Sequence, residues 1–265
     1  MGNTFETLKV TKKRWADAQE FEGNLWMQHN RRNPCMKMLA KFVKFMRYPR
    51  RFLNYLRCRD FLCGDDWNYW WMEQFDRYKT LPKYCEKALE VGCGPYTNTR
   101  LISKICNIKE IHCCDPLMDV YKSFRLTWLT RQYAKNKIKI YNDKCEDLRF
   151  ENASFDIVIC INVLDHVQNA PQCLNEIIRV TKQGGCIILG QDLSDEEDLS
   201  NEMIRNDVGH PIKIHHAVLD RTFGDSFEPL LKKILPRDKG RNPDAHYGTY
   251  IYIGQKICNN HRCSA

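Results

Sequence analysis

The stretch that most constrains this chain is Ala88-Leu89-Glu90-Val91-Gly92-Cys93-Gly94-Pro95-Tyr96. An apolar run ending in an acidic residue leads straight into a glycine turn. Glycine adopts left-handed backbone without steric cost and lets a ligand approach the main chain closely. A helix that follows such a turn presents unpaired N–H groups. Strand, glycine turn and helix in that order form the ligand-binding edge of a parallel α/β sheet, the usual seat of a nucleotide-like cofactor. The turn is not a dinucleotide fingerprint. Gly92 and Gly94 fill the first two glycine positions, but Thr97 stands at the third. Glu90 would sit badly beside a pyrophosphate and suits a cationic ligand instead.

Three further segments follow at regular distance. Ile111-His112-Cys113-Cys114-Asp115 reads as a second strand ending in an acid, with Asp115 21 residues after Gly94. Cys145-Glu146-Asp147-Leu148 leads through a strand at Phe155–Cys160 to the turn Asn162-Val163-Leu164-Asp165-His166-Val167. Leu174–Lys182 reads as a helix, and Gly184-Gly185 as the turn before a fifth strand at Cys186–Gly190. Four segments in this register resemble the class I S-adenosylmethionine-dependent methyltransferases.

The resemblance implies a doubly wound, mostly parallel seven-stranded Rossmann-like sheet with an antiparallel last strand, preceded here by helical additions. It implies S-adenosyl-L-methionine as cofactor. Glu90, Gly92, Cys93, Gly94 and Tyr96 would surround its methionyl end, and Asp115 with Pro116 its ribose hydroxyls. Cys145 and Glu146 would meet the adenine through backbone groups, and Asn162 would close the site after the fourth strand. Two positions depart from the family pattern. Pro95-Tyr96 replaces the third glycine, and Lys144 stands where many members place an acid toward the adenine amino group.

At 265 residues the chain holds one domain with additions. The expected division is an N-terminal helical cap over 1–80, a cofactor-binding domain over 81–257 and a tail over 258–265. Phe227 to Leu235 reads as the sixth strand, limited by Pro229, and His246 to Ile253 as the closing antiparallel strand. The aromatic run Trp67–Phe75 is expected to pack in the core, or else to line a substrate mouth with Tyr69, Trp70 and Trp71. Trp15, Gln19, Glu22 and Trp26 belong to an upstream helix.

Many of the fourteen cysteines fall in apolar runs, where a thiol acts as a small hydrophobe. The expectation is a reduced, cytoplasmic protein. No metal is expected: Cys58/Cys63 and Cys258/His261/Cys263 lack the tight, repeated spacing of zinc sites. No leader is expected from the polar start, and no apolar run approaches the roughly 20 residues of a membrane span. Residues 31–60 carry ten Lys or Arg against one acid, Asp60, a contribution of +9 in a chain of net charge +8. Aromatics interleave them at helical spacing around Pro49. Such a segment suits an anionic membrane surface, a nucleic-acid backbone, or simple packing on the catalytic domain with a solvated basic face. Peripheral membrane association thus stands beside the cytoplasmic reading, with nucleic acid the weaker partner.

A sulfonium methyl is already activated, so the protein's main contribution is orientation. A base is needed only where the acceptor must lose a proton. His166, His210 and His215 are the candidates; for His166 a structural role in its turn is the competing reading. Ile161-Asn162-Val163-Leu164 lacks the Asn-Pro-Pro-Tyr run of nucleic-acid amino methylation. The expected reaction is oxygen methylation of a small molecule, glycan or lipid-linked metabolite. The rivals are an RNA-directed methyltransferase and a cofactor-binding interaction protein without catalysis.

Overall fold

Alternating apolar side chains need cover on both faces of a parallel sheet, and this sequence supplies two layers for it. The computed structural model describes residues 8–31, 46, 67–240 and 248–258. Apart from Arg31 and Met46, the basic segment 31–60 lies outside the described residues, as do 241–247 and 259–265. Helix α1 (Lys12–Arg31) and helix α2 (Trp67–Gln74) precede the sheet, and the short helices α3 (Thr99–Ile102), α4 (Met118–Tyr121), α5 (Trp128–Tyr133), α7 (Glu196–Ser200) and α8 (Glu202–Arg205) lie between its strands. The strands are β1 (Tyr84–Val91), β2 (Asn107–Cys114), β3 (Lys139–Tyr141), β4 (Phe155–Ile161), β5 (Thr181–Asp192), β6 (Phe227–Leu235) and β7 (Thr249–Lys256). They form one sheet in the order β3-β2-β1-β4-β5-β7-β6. β1 to β5 run parallel, and β7 runs antiparallel to both β5 and β6. This is the expected doubly wound, Rossmann-like sheet with an antiparallel last strand.

The period of two along each strand divides the core. Leu89, Val91, Val158, Cys160, Ile187 and Leu189 face one layer, closed by helix α6 (Ala170–Val180). That helix buries Ala170, Cys173, Leu174, Ile177 and Val180, the 3-and-4 spacing of a single apolar stripe. Asn169 caps its start by accepting from the Gln172 N–H at 3.3 Å. Ala88, Ile157, Ile159, Cys186 and Ile188 face the other layer, where Tyr69, Trp70, Trp71 and Phe75 pack. The aromatic run is therefore core, and no substrate mouth forms from it. Gly190 explains how Trp71 fits: a Cβ there would lie 2.5 Å from the indole ring.

Two expectations about the last strands shift in detail. Pro229 sits on the sheet edge, where a missing N–H is tolerated, and the register slips between Pro229 and Leu231. The closing strand begins at Thr249, later than the expected His246, and extends to Lys256. The thiol expectation needs one correction. Cys145 and Cys173 form a disulfide with their Cα atoms 5.0 Å apart, tying the segment after β3 to α6. Cysteines at adjoining chain segments are not visible as partners in sequence, because 28 residues separate them. Among the described residues no helix is long and apolar enough to cross a membrane.

The order of strands reverses between β1 and β4, whose carboxyl ends are Val91 and Ile161. A parallel sheet opens a crevice at such a switch point. The N-terminal segment is stitched beside it: Val10 N–H donates to Gln168 O at 2.9 Å, and Ala170 N–H to Leu8 O at 3.0 Å. From that anchor α1 runs along the crevice.

Candidate functional site at the sheet switch point

The crevice is an open cleft enclosing about 450 Å³ of space, counted out to its solvent mouth. Gly92, Asp115, Pro116, Cys145, Glu146, Asn162 and His166 line it, all anticipated from sequence. They come from the ends of β1, β2 and β4 and from the segment between β3 and β4.

Gly92 has φ of +58°, and a Cβ there would meet Val163 Cγ2 at 2.5 Å. Gly94 has φ of +55° with open space beside it, and its N–H donates to Asp115 Oδ2 at 3.0 Å. Leu117 N–H donates to Asp115 Oδ1 at 2.9 Å. The carboxyl is thus fixed in orientation, and it is also 7% exposed. Burial, and secondarily the nearby Glu22 carboxylate, push its pKa up from 3.8 to about 7 against those hydrogen bonds. An acceptor in that state gains from a ligand whose hydroxyls donate to it.

Asn162 gives the second test of fit. Its backbone has φ of +58°, a conformation Asn tolerates better than most residues. Its N–H donates to Gly190 O at 2.7 Å, which holds the turn to β5. Its side-chain Oδ1 is buried and has no hydrogen-bond partner. Buried acceptors are ordinarily satisfied, so this one awaits a donor from the cleft. The residues present therefore fit S-adenosylmethionine, which offers ribose hydroxyls and an amino group as donors.

Four of the anticipated cofactor residues do not line the cleft. Glu90 is corrected most fully. Strand alternation turns it into the polar patch beneath the turn, where its oxygens accept from Thr97 Oγ1, Asn98 N at 2.8 Å, Thr99 N at 3.0 Å and Thr99 Oγ1 at 2.6 Å. Burial raises its pKa and those donors oppose the rise. Glu90 therefore shapes the turn and is not presented to a cation. Cys93 points its thiol into the core beside Cys113, and its N–H donates to Cys114 O at 3.2 Å. Gly94 acts through the Asp115 bond already described. Tyr96 packs edge-on against Trp26 and His29 of α1, with centroids 5.8 and 6.0 Å apart.

The histidines separate. His166 lies in the cleft wall with Nδ1 3.3 Å from Glu22 Oε2 and Nε2 3.7 Å from Asp165 Oδ1. His210 packs on it with ring centroids 4.7 Å apart, and its Nδ1 lies 2.7 Å from Asp207 Oδ2. That hydrogen bond holds the Asp207 carboxyl well below the usual range. His215 stands apart from this pair. It caps helix α9 (His216–Gly224), accepting from Ala217 N–H at 3.3 Å, and its ring lies against His216.

The residues that sequence reasoning left out of the site are on α1. Trp15, Gln19 and Glu22 line the cleft. The signal was present: positions 15, 19, 22 and 26 form one helical stripe, yet its middle two members are polar. Lys144, the departure in the adenine segment, also lines the cleft, with Nζ 3.9 Å above the Trp15 ring. The acid next to it, Asp143, is held by Arg149 at 2.6 to 3.0 Å.

Residues 89–189 match the family model described as a methyltransferase domain. The chain is 29% identical over 134 residues to the thiol S-methyltransferase TMT1B of Rattus norvegicus, covering 47% of this chain and 51% of that protein. It spans about half the length of the curated relatives it matches. Among solved structures, the YcgJ protein of Bacillus subtilis superposes with a TM-score of 0.56 at 16% identity, over 72% of this chain and 99% of that one. Geranyl diphosphate C-methyltransferase of Streptomyces coelicolor, solved with S-adenosyl-L-homocysteine, gives 0.55 at 10% identity, over 71% and 76%. These two likenesses concern the fold. The matched segment spans β1 to β5 and includes the strand ends that form the cleft, so residues 89–189 of this chain match a methyltransferase domain.

Proposed function

We propose that this chain transfers the methyl group of S-adenosylmethionine to a small-molecule acceptor, and that the accepting atom is a thiol sulfur. The observation that carries the transfer reading is the convergence of Gly92, Asp115 and Asn162 on one cleft at three strand ends. When bound, S-adenosylmethionine supplies a methyl activated for in-line displacement. Asp115 would accept from its ribose hydroxyls, and Asn162 Oδ1 from its amino group. Backbone groups of Cys145 and Glu146 would border the adenine. Glu146 is itself fixed, accepting from Gln168 N–H at 2.6 Å and Asn169 N–H at 3.0 Å. Trp15, Gln19 and Glu22 of α1 close the other wall and restrict water.

Two lines favour sulfur over the oxygen expected from sequence. The rat relative is named a thiol S-methyltransferase, and it is 29% identical to this chain over 134 residues. The cleft wall also carries an imidazole, His166, that can act as a base. A thiol titrates near ~8.5, within reach of such a base, and the thiolate is the nucleophile. An alkyl hydroxyl needs stronger activation. The test is a panel of small thiols and their hydroxyl counterparts, incubated with protein and cofactor and read by mass spectrometry. Methylated thiols, lost with Asp115→Ala, are expected. Preference for the hydroxyl series would return the acceptor to oxygen, and no product from any acceptor would favour a non-catalytic role.

A further inference from the structure

We propose, on the reading that S-adenosylmethionine fills the cleft, that Gln19 and Glu22 of α1 hold the positively charged methionyl end of that cofactor. Gln19 would accept a hydrogen bond from its amino group, and Glu22 would supply the negative charge first expected of Glu90.

Gln19 is 9% exposed and lines the cleft. Its Nε2 donates to the backbone carbonyl of His166 at 3.3 Å. An amide oxygen cannot pair with that carbonyl, so the bond settles which way the amide points. Oε1 is left buried with no hydrogen-bond partner. Buried acceptors are ordinarily paired, so the partner of this one is a donor from the cleft. Asn162 Oδ1 is in the same condition, in the turn that also carries His166. Asp115 already answers the ribose hydroxyls. Two further amide oxygens on one cleft match an ammonium group, which has three donors and no acceptor.

Glu22 lies one turn further along the same face of α1. Trp26 Nε1 donates to its Oε1 at 3.2 Å, which orients the carboxylate. Its Oε2 lies 3.3 Å from the His166 ring, which bears charge only when protonated. Glu22 also stands close enough to Asp115 to help push that carboxyl's pKa up. Two acids thus share one cleft, and a cationic ligand relieves their repulsion. The lysine of the cleft, Lys144, is turned to the Trp15 ring instead. Glu90 is already engaged beneath the glycine turn by Thr97, Asn98 and Thr99.

The course of α1 sets which end of the cofactor these residues meet. Residues 15, 19, 22 and 26 form one stripe about 16 Å long at 1.5 Å per residue. Trp15 meets Lys144 of the adenine segment, Gln19 the turn after β4, and Trp26 the Tyr96 ring in the turn after β1. Gly23 is buried, and a Cβ there would lie 3.8 Å from Leu117 Cδ2, so the helix passes close to the segment that follows Asp115. Gln19 and Glu22 therefore stand past the adenine, on the methionyl side. The helix is held in that course by Arg14, which donates to the carbonyl oxygens of Asp207 and Val208.

The test is binding of two ligands, each titrated by calorimetry up to millimolar concentration. S-adenosylmethionine carries the sulfonium and the amino group. Methylthioadenosine keeps the adenosine and a neutral thioether but neither charge. Gln19→Ala and Glu22→Gln should each weaken S-adenosylmethionine binding at least tenfold and methylthioadenosine binding less than twofold. Glu20→Gln, on the exposed face of α1, should leave both affinities unchanged. Equal losses for the two ligands would show that the residues only hold α1 in place. Full S-adenosylmethionine affinity in either folded variant would show that the charge is met elsewhere. Each of these results overturns the proposal. Should Gln19→Ala fail to fold, the isosteric Glu22→Gln decides. Failure of the cofactor reading itself looks different, because the folded wild type would then bind neither ligand.

Discussion

Gly92 and Gly94 share one backbone conformation but not one environment, and the difference sets a measurable energy. Both have φ near +55°, where an L side chain costs ~1–2 kcal/mol. Gly94→Ala would add its methyl to open space, so its destabilisation should stay near that backbone cost. Gly92→Ala would place Cβ 2.5 Å from Val163 Cγ2 and 2.7 Å from Cγ1. Val163 is 6% exposed and follows Asn162, whose turn is tied to β5, so it has little room to retreat. Overpacking of this kind costs a further ~1–3 kcal/mol. Urea unfolding should therefore place Gly92→Ala below Gly94→Ala by about 1–3 kcal/mol. In a Val163→Ala background only the Cβ of residue 163 stays close, at 3.2 Å, so most of the excess should disappear as a coupling energy. Equal costs for the two alanines within about 0.5 kcal/mol, or no coupling to Val163, would refute the packing argument.

Asp115 gives a pH prediction. Its pKa is raised from 3.8 to about 7, so the free protein loses stability as pH climbs between those values. The anion is the form that accepts ribose hydroxyls, so cofactor affinity should fall below pH 7 and approach tenfold per unit; a flat calorimetric profile from acid to alkaline pH contradicts this. Gly190→Val drives a branched side chain into the Trp71 indole and should cost ~1–3 kcal/mol or more, with altered tryptophan fluorescence; an unchanged spectrum would show that Trp71 does not pack there. Reduction of the Cys145–Cys173 disulfide should remove about 3.6 kcal/mol for a loop of this length and weaken cofactor binding, since Cys145 lines the cleft. Thiol counts that do not rise by two on denaturation with reductant would argue that the bond is absent.

The sheet was legible because its cause is local. Buried parallel strands read as apolar runs, and the acidic or glycine residue at each strand end marks the crevice. Gly92 and Asp115 are marked by that punctuation, and Asn162 was placed after the fourth strand by the family resemblance. What escaped was direction and return path. Glu90 occupies the expected position, but the period of two turns its carboxylate to Thr97 and Thr99. Cys93 likewise lies in the turn with its thiol facing inward. Glu22 and His210 reach the site from helix α1 and a distant loop, and no short-range spacing encodes that meeting. His215, close to His210 in sequence, is a helix cap because its own backbone starts α9.

The central claim is the cofactor cleft, and equilibrium binding tests it most directly. Calorimetry with S-adenosylhomocysteine on wild type, Asp115→Ala and Asn162→Ala separates the cleft from the fold. The account predicts one site at micromolar affinity, weakened at least tenfold by either substitution while thermal unfolding shows both variants intact. Undiminished binding in folded Asp115→Ala, or none by the folded wild type, would contradict it.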